Sequence, residues 1–177
     1  MSTEYSHMAP SDACAAITAE EEELDFVSFT LEDAWAVGVA IRNWGLDNDA
    51  PLVIAVDLGG QRAFHSALQG SAALNAAWLD RKFRTVAHYG HASLAVRYDF
   101  AANRSSFRDD SLLDPRRYTD AGGAFPIRVE GTLVGAVGVS GLEMHEDHAL
   151  AVTALRAHKR GTGSMDVGLG STVKSTP

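Results

Sequence analysis

Residues 122–148, GGAFPIRVEGTLVGAVGVSGLEMHEDH, decide the fold. Two glycines lead into Phe125 and Pro126, and a short β-prone run over 127–130 turns at Gly131-Thr132. A second run over 133–139 returns, and Ser140-Gly141 passes the chain to an acidic helix start. This is a hairpin feeding a helix. Gly135 and Gly138 weaken a strand interior unless another backbone or a ligand lies close, so packing or binding constraints should concentrate here.

Working outward, the last helix should run from about 144 to 160, with Ala149, Val152 and Leu155 inward and His158, Lys159 and Arg160 at its negative end before Gly161. Upstream lies a charged, Ser-containing loop over 105–121, of a length that is usually functional or interfacial. Two helices precede it, over 71–89 and 91–103, with Gly90 in C-cap position between them. Residues 52–56 are an unbroken aliphatic run suited to a central strand, and Gly59-Gly60 joins it to a second arm over 61–68. Thr30 and Asp33 have capping-box spacing for a helix reaching about Leu46, with Leu31, Ala34, Trp35, Gly38 and Ile41 on its inward stripe. Residues 26–29 form a short strand candidate, and 11–25 a first exposed helix. Its acid run Glu20–Glu23 reads as a solvated face, because acids adjacent in sequence point in different directions on a helix.

Tight turns join only antiparallel neighbours, so the order of elements predicts an α/β (α+β) domain, an antiparallel sheet of about five strands flanked by helices. A doubly wound nucleotide-binding fold is excluded. The expected division is an N-terminal segment with the start of the first helix over 1–19, the domain over 20–160, and a disordered tail rich in Gly, Ser and Thr over 161–177.

The chain has 177 residues, 46% of them apolar, enough for a core in one domain. Its 15 basic and 23 acidic residues give a net charge of −8, and no basic stretch interleaved with aromatics is present, so nucleic acid is not an expected partner. Cys14 is the single cysteine, which rules out an intrachain disulfide and fits a reduced, cytoplasmic setting. The start lacks a signal-like pattern and no apolar run approaches a bilayer span of about 20 residues, so no membrane association is expected.

Several motifs invite chemistry. Gly135-x-x-Gly138-x-x-Gly141 lacks dinucleotide-fingerprint spacing, and Ser140 misses the nucleophile elbow because Leu142 stands where glycine is needed. His145 and His148 are three apart on a helix and can share a face, with Glu146 as a carboxylate ligand for iron; the competing reading is that the local acids complement the helix N-terminus. His88-Tyr89-Gly90-His91 offers imidazole or phenolate ligands for haem iron, close in sequence to Arg81 and Lys82, which pair well with propionates; each is also an ordinary helix-end residue.

Trp78-Leu79-Asp80-Arg81-Lys82, the segment from Thr85-Val86 to Ser93, Gly122-Gly123-Ala124-Phe125-Pro126-Ile127, and Val139-Ser140-Gly141-Leu142 through Glu146-Asp147-His148 together resemble the haem-degrading domain family, the GlcG/HbpS-like superfamily. The likeness covers most of residues 20–160 and keeps the motif order. It departs at Ala124, where a third glycine is frequent, and at Ala92, where serine is usual. The resemblance implies a profilin-like fold, assembly into homo-oligomers, and association with haem or iron with proposed haem breakdown. On that basis Arg81 and Lys82 are expected near propionates and His88 or His91 as axial ligand. Gly122, Gly123, Phe125 and Pro126 join them in the cofactor site, the hairpin glycines leaving room for the macrocycle. The alternative is a non-catalytic oligomeric adaptor of the same fold.

Overall fold

The computed structural model describes residues 5–161, so the expectation of a disordered tail falls, beyond Gly161, outside the described residues. After a 3-10 turn at Tyr5–His7 come α1 (Pro10–Glu23), β1 (Asp25–Phe26), α2 (Leu31–Asp47), β2 (Val53–Leu58) and β3 (Gln61–Ala67). There follow α3 (Ala73–Tyr89), α4 (Ser93–Ala102), α5 (Phe107–Asp110), β4 (Ala124–Val129), β5 (Thr132–Ser140) and α6 (Met144–Lys159). This is the α/β arrangement of the expected profilin-like kind. The short α5 falls inside the segment read as a loop. Among the described residues no helix is long and apolar enough to cross a membrane.

The five strands lie in the order β1-β4-β5-β2-β3. β5, the returning arm of the quoted hairpin, is central and pairs antiparallel with both β4 and β2. The two-residue turns that make this possible have left-handed backbone at both positions: Glu130 (φ 48°) with Gly131 (φ 78°), and Gly59 (φ 58°) with Gly60 (φ 80°). That is the twist a tight hairpin requires, and it puts the first turn one residue earlier than Gly131-Thr132. The sheet is not wholly antiparallel: β1 adds to the edge parallel to β4, with Asp25 opposite Arg128. No tight turn links these two strands, so the turn argument leaves their direction free.

Period-2 alternation sends Ile54, Val56, Phe125, Ile127, Val137 and Val139 to the larger core, filled by Ile17, Val37, Ile41, Leu94, Leu150 and Leu155 from α1, α2, α4 and α6. The other face is built of small residues, Ala55, Ala124 and Ala136 with Val53, and receives Leu79, Phe83 and Val86 of α3. The strand glycines answer this packing. A Cβ on Gly138 would lie 2.6 Å from Leu79 Cδ1, and one on Gly135 would lie 2.1 Å from the Asp57 carbonyl oxygen. Side chains and backbone, not a macrocycle, fill the space beside them.

α2 begins with the expected capping box of Thr30 and Asp33. Its inward face is Ala34, Val37, Gly38, Ile41 and Gly45, whereas Leu31 and Trp35, read as inward, are 51% and 57% exposed. Close approach decides the rotation: Gly38 lies so tightly on Phe64 of β3 that a Cβ would come within 2.3 Å of its ring. Trp35 is left to cover the same phenyl ring from outside, edge to face at 5.3 Å.

Candidate functional site

The corner between α3 and α4 gathers a donor set. α3 stops because Gly90 adopts a left-handed backbone (φ 76°), and its N–H bonds back to the Val86 carbonyl. The guanidinium of Arg128, on β4, donates to the Gly90 carbonyl. His91 follows, and α1 brings Glu21 against it. Glu21 is 4% exposed; its Oε1 accepts the Ala92 N–H at 2.7 Å and its Oε2 lies 2.8 Å from His91 Nδ1. Donation of the Nδ1 proton to this carboxylate leaves the lone pair of the neutral ring on Nε2, at a side chain that is half exposed.

His91 opens onto a cleft of about 210 Å³ lined also by Cys14, Thr18, Tyr89, Val96 and Asp99. Burial pushes the Cys14 thiol up, with Asp99 adding to the effect, and burial and Asp99 raise the Tyr89 phenol in the same way. Both therefore hold their protons near neutral pH. The imidazole of His91 is the nitrogen donor in this cleft, beside the carboxylate of Asp99.

The other expected cofactor residues are not gathered here. Arg81 stacks its guanidinium over Trp78 at 4.8 Å, and exposed His88 lies against the rings of Tyr89 and Tyr118 at 4.8 and 5.9 Å. Lys82, expected at a propionate, is buried: its Nζ donates to Asp147 Oδ2 and to the Val139 carbonyl, both at 2.9 Å. Gly122 and Gly123 shape this interior, not a ligand space. A Cβ on Gly123 (φ 119°) would stand 2.6 Å from Lys82 Nζ, and one on Gly122 would stand 2.5 Å from the Met144 carbonyl oxygen. Phe125 and Pro126 are buried in β4, with Phe125 edge to face against His148 at 5.7 Å.

The expected metal cluster separates as well. His145 sits between Glu143 Oε2, 3.0 Å from Nδ1, and Tyr98 Oη, 2.9 Å from Nε2. His148 is 1% exposed and turns its Nε2 toward Glu20 Oε2 at 3.4 Å. Glu146 is spent on the Glu143 N–H as part of the helix cap. Among the described residues no three His, Cys, Asp or Glu side chains converge as metal ligands.

Glu21 of this candidate site is hidden in the sequence, because it lies within the acid run expected to face solvent. A signal was there: Ala13, Ile17, Glu21 and Leu24 fall at helical spacing and all are buried. An acid on the apolar stripe of a helix calls for a specific partner. Its neighbours are partnered too, Glu20 and Glu23 both meeting Arg156 of α6.

The family described as haem degrading protein, HbpS-like, matches residues 29–156. A UPF0303 protein of Streptomyces avermitilis is 46% identical over 140 residues, covering 78% of this chain and 86% of its own. The crystal structure of the Ybr137w protein aligns with a TM-score of 0.75 at 28% identity, over 82% of this chain and 87% of that one. The crystal structure of a PduOC:heme complex aligns with a TM-score of 0.63 at 19% identity, over 74% and 95% of the two chains, a likeness of fold.

Proposed function

The chain belongs to the haem degrading protein HbpS-like family, and from that premise we propose that it binds haem, whose iron Nε2 of His91 would hold. The carrying observation is the 2.8 Å contact between His91 Nδ1 and the buried carboxylate of Glu21. Metal-ligating histidines characteristically give their second nitrogen to a carboxylate, which fixes the tautomer and strengthens the ring as a donor. The residues present fit the group: a neutral imidazole suits haem iron, while Cys14 and Tyr89 stay protonated. One fold neighbour, PduOC, is a haem complex, in keeping with this proposal.

Haem, when bound, supplies iron chemistry with oxygen that can be turned on its own ring. The chain's contribution is to hold the iron from His91, fix that ring through Glu21, and line the cleft with Val96, Tyr89 and the Cys14 thiol. A cleft of about 210 Å³ is smaller than the roughly 300–1,000 Å³ that encloses most small ligands. One subunit thus covers part of a macrocycle, and a second copy covers more in the homo-oligomer that belongs to this proposal. A reduced cytoplasmic setting, in which Cys14 stays a thiol, belongs to it also.

The test is a hemin titration followed at the Soret band, with ascorbate and oxygen then added and band decay compared with free hemin. One saturable site per subunit, lost in His91→Ala and kept in His88→Ala, is the expected result. Binding without faster decay makes the protein a carrier or sensor. Absence of a saturable band removes haem and leaves an adaptor of the same fold, and unchanged binding in His91→Ala overturns the ligand assignment.

A further inference from the structure

A second cleft, of about 300 Å³, lies over α3 where the long segment after α4 returns, walled by Trp78, Phe107, Leu113 and Tyr118 with Arg108 at its side. We propose that it is a small-molecule site separate from His91, for a planar aromatic anion.

The walls are fixed independently of any ligand. Thr85 on α3 donates its hydroxyl to the Thr119 carbonyl at 2.7 Å and accepts the Thr119 N–H at 3.1 Å, clamping the segment beside Tyr118. Arg97 of α4 pairs with Asp120 at 3.0 Å, which neutralises the carboxylate lining this cleft. Opposite, Phe107 packs edge to face on Phe100 at 5.4 Å. A preformed cleft with three aromatic side chains in its lining suits a flat ring system.

The charge suits an anion. Arg108 makes no ion pair with a described residue, and Arg81 sits over the Trp78 ring at 4.8 Å. A guanidinium without an ion pair among the described residues, beside apolar walls, is a ready partner for a carboxylate or sulfonate. The rim adds a third sign. Leu112 takes a left-handed backbone (φ 59°) and is 93% exposed, between Ser111 and Leu113 of the cleft wall. A leucine held in a costly backbone conformation and left in water is little explained by packing, and such strain gathers where ligands are clamped.

Calorimetric titration of the full-length protein with 2-naphthoate, and with the neutral 2-naphthalenemethanol, tests the site. One saturable site per subunit is expected. Arg108→Gln should weaken naphthoate by about ten-fold or more and leave the alcohol unchanged, and Leu112→Gly should weaken both while relieving the backbone. His91→Ala should bind naphthoate as the unaltered chain does, so failure of the haem reading leaves this one standing. No saturable binding overturns the proposal, as does equal affinity in Arg108→Gln and Trp78→Ala. Loss of binding in His91→Ala also overturns it, by assigning the probe to the other cleft.

Discussion

Lys82 Nζ lies 2.9 Å from Asp147 Oδ2, with each side chain at most 4% exposed. The pair ties α3 on one face of the sheet to α6 on the other, past the end of β5, where Lys82 also holds the Val139 carbonyl. Asp147 in turn accepts the Leu142 N–H at 3.0 Å, so the turn into α6 depends on the same carboxylate.

Removing one partner leaves an uncompensated buried charge, which typically costs about 3–5 kcal/mol. Lys82→Met should lower unfolding free energy by that amount in urea melts at neutral pH. Lys82→Met/Asp147→Asn should be milder than the single change, because no buried charge remains and the amide still accepts from Leu142. A double variant as unstable as the sum of its parts would show that the pair is not coupled in this way.

The same carboxyl gives the protein a pH signature. Burial pushes Asp147 up to about 6, the ammonium of Lys82 offsetting only part of the effect. Between about pH 4, the usual carboxylate range, and about pH 6 the folded chain keeps a proton that the unfolded chain has released. The contribution of this group to stability is therefore fully present below about pH 4 and is lost as pH rises toward 6, at no more than about 1.4 kcal/mol per pH unit. Urea melts of the unaltered chain and of Asp147→Asn should diverge across this window and run parallel above it. Parallel behaviour throughout would place the proton elsewhere.

Gly123 offers a sharper substitution. Its φ of 119° is closed to residues with a side chain, and a Cβ would press on Lys82 Nζ and the Val139 carbonyl oxygen, both at 2.6 Å. Gly123→Ala should cost at least about 1–3 kcal/mol from backbone strain alone, read as a drop in melting temperature. Hemin binding measured well below that temperature should persist, since the glycine serves the Lys82–Asp147 interior. Selective loss of hemin binding in a stable Gly123→Ala would return the Gly-Gly motif to the ligand site.

The hairpin over 122–148 was legible because turn glycines, period-2 alternation and a helix cap all spoke for the same local structure. Trp35 was not, because helical spacing offers two adjacent stripes on α2 and the choice between them was made by Phe64, a residue on another strand. The site shows the same division. His88 and His91 could both be named from their chemistry beside a C-cap glycine, but the pairing of His91 with Glu21 crosses 70 residues of sequence. Lys82, His145 and His148 bear functional-looking side chains that tertiary packing turned into internal fastenings, a fate sequence spacing does not encode.

Glu21 lets the structural and ligand-directed roles of one residue be separated. Its two oxygens serve different partners, Oε1 the Ala92 backbone and Oε2 the His91 ring. Glu21→Ala strips both and leaves the Ala92 N–H of a buried corner without its acceptor, a loss of about 1–3 kcal/mol in stability. Glu21→Gln keeps a carbonyl oxygen for one of these donors and removes the negative charge, so it should fold with most of its stability. The ring of His91 is then a poorer donor, and the metal affinity it confers should fall by about 10–100-fold, the usual effect of losing such a partner. Hemin affinity of Glu21→Gln at matched fraction folded is the decisive measurement. An unchanged Soret titration there would mean that Glu21 fastens α1 to the α3–α4 corner and does nothing for the iron.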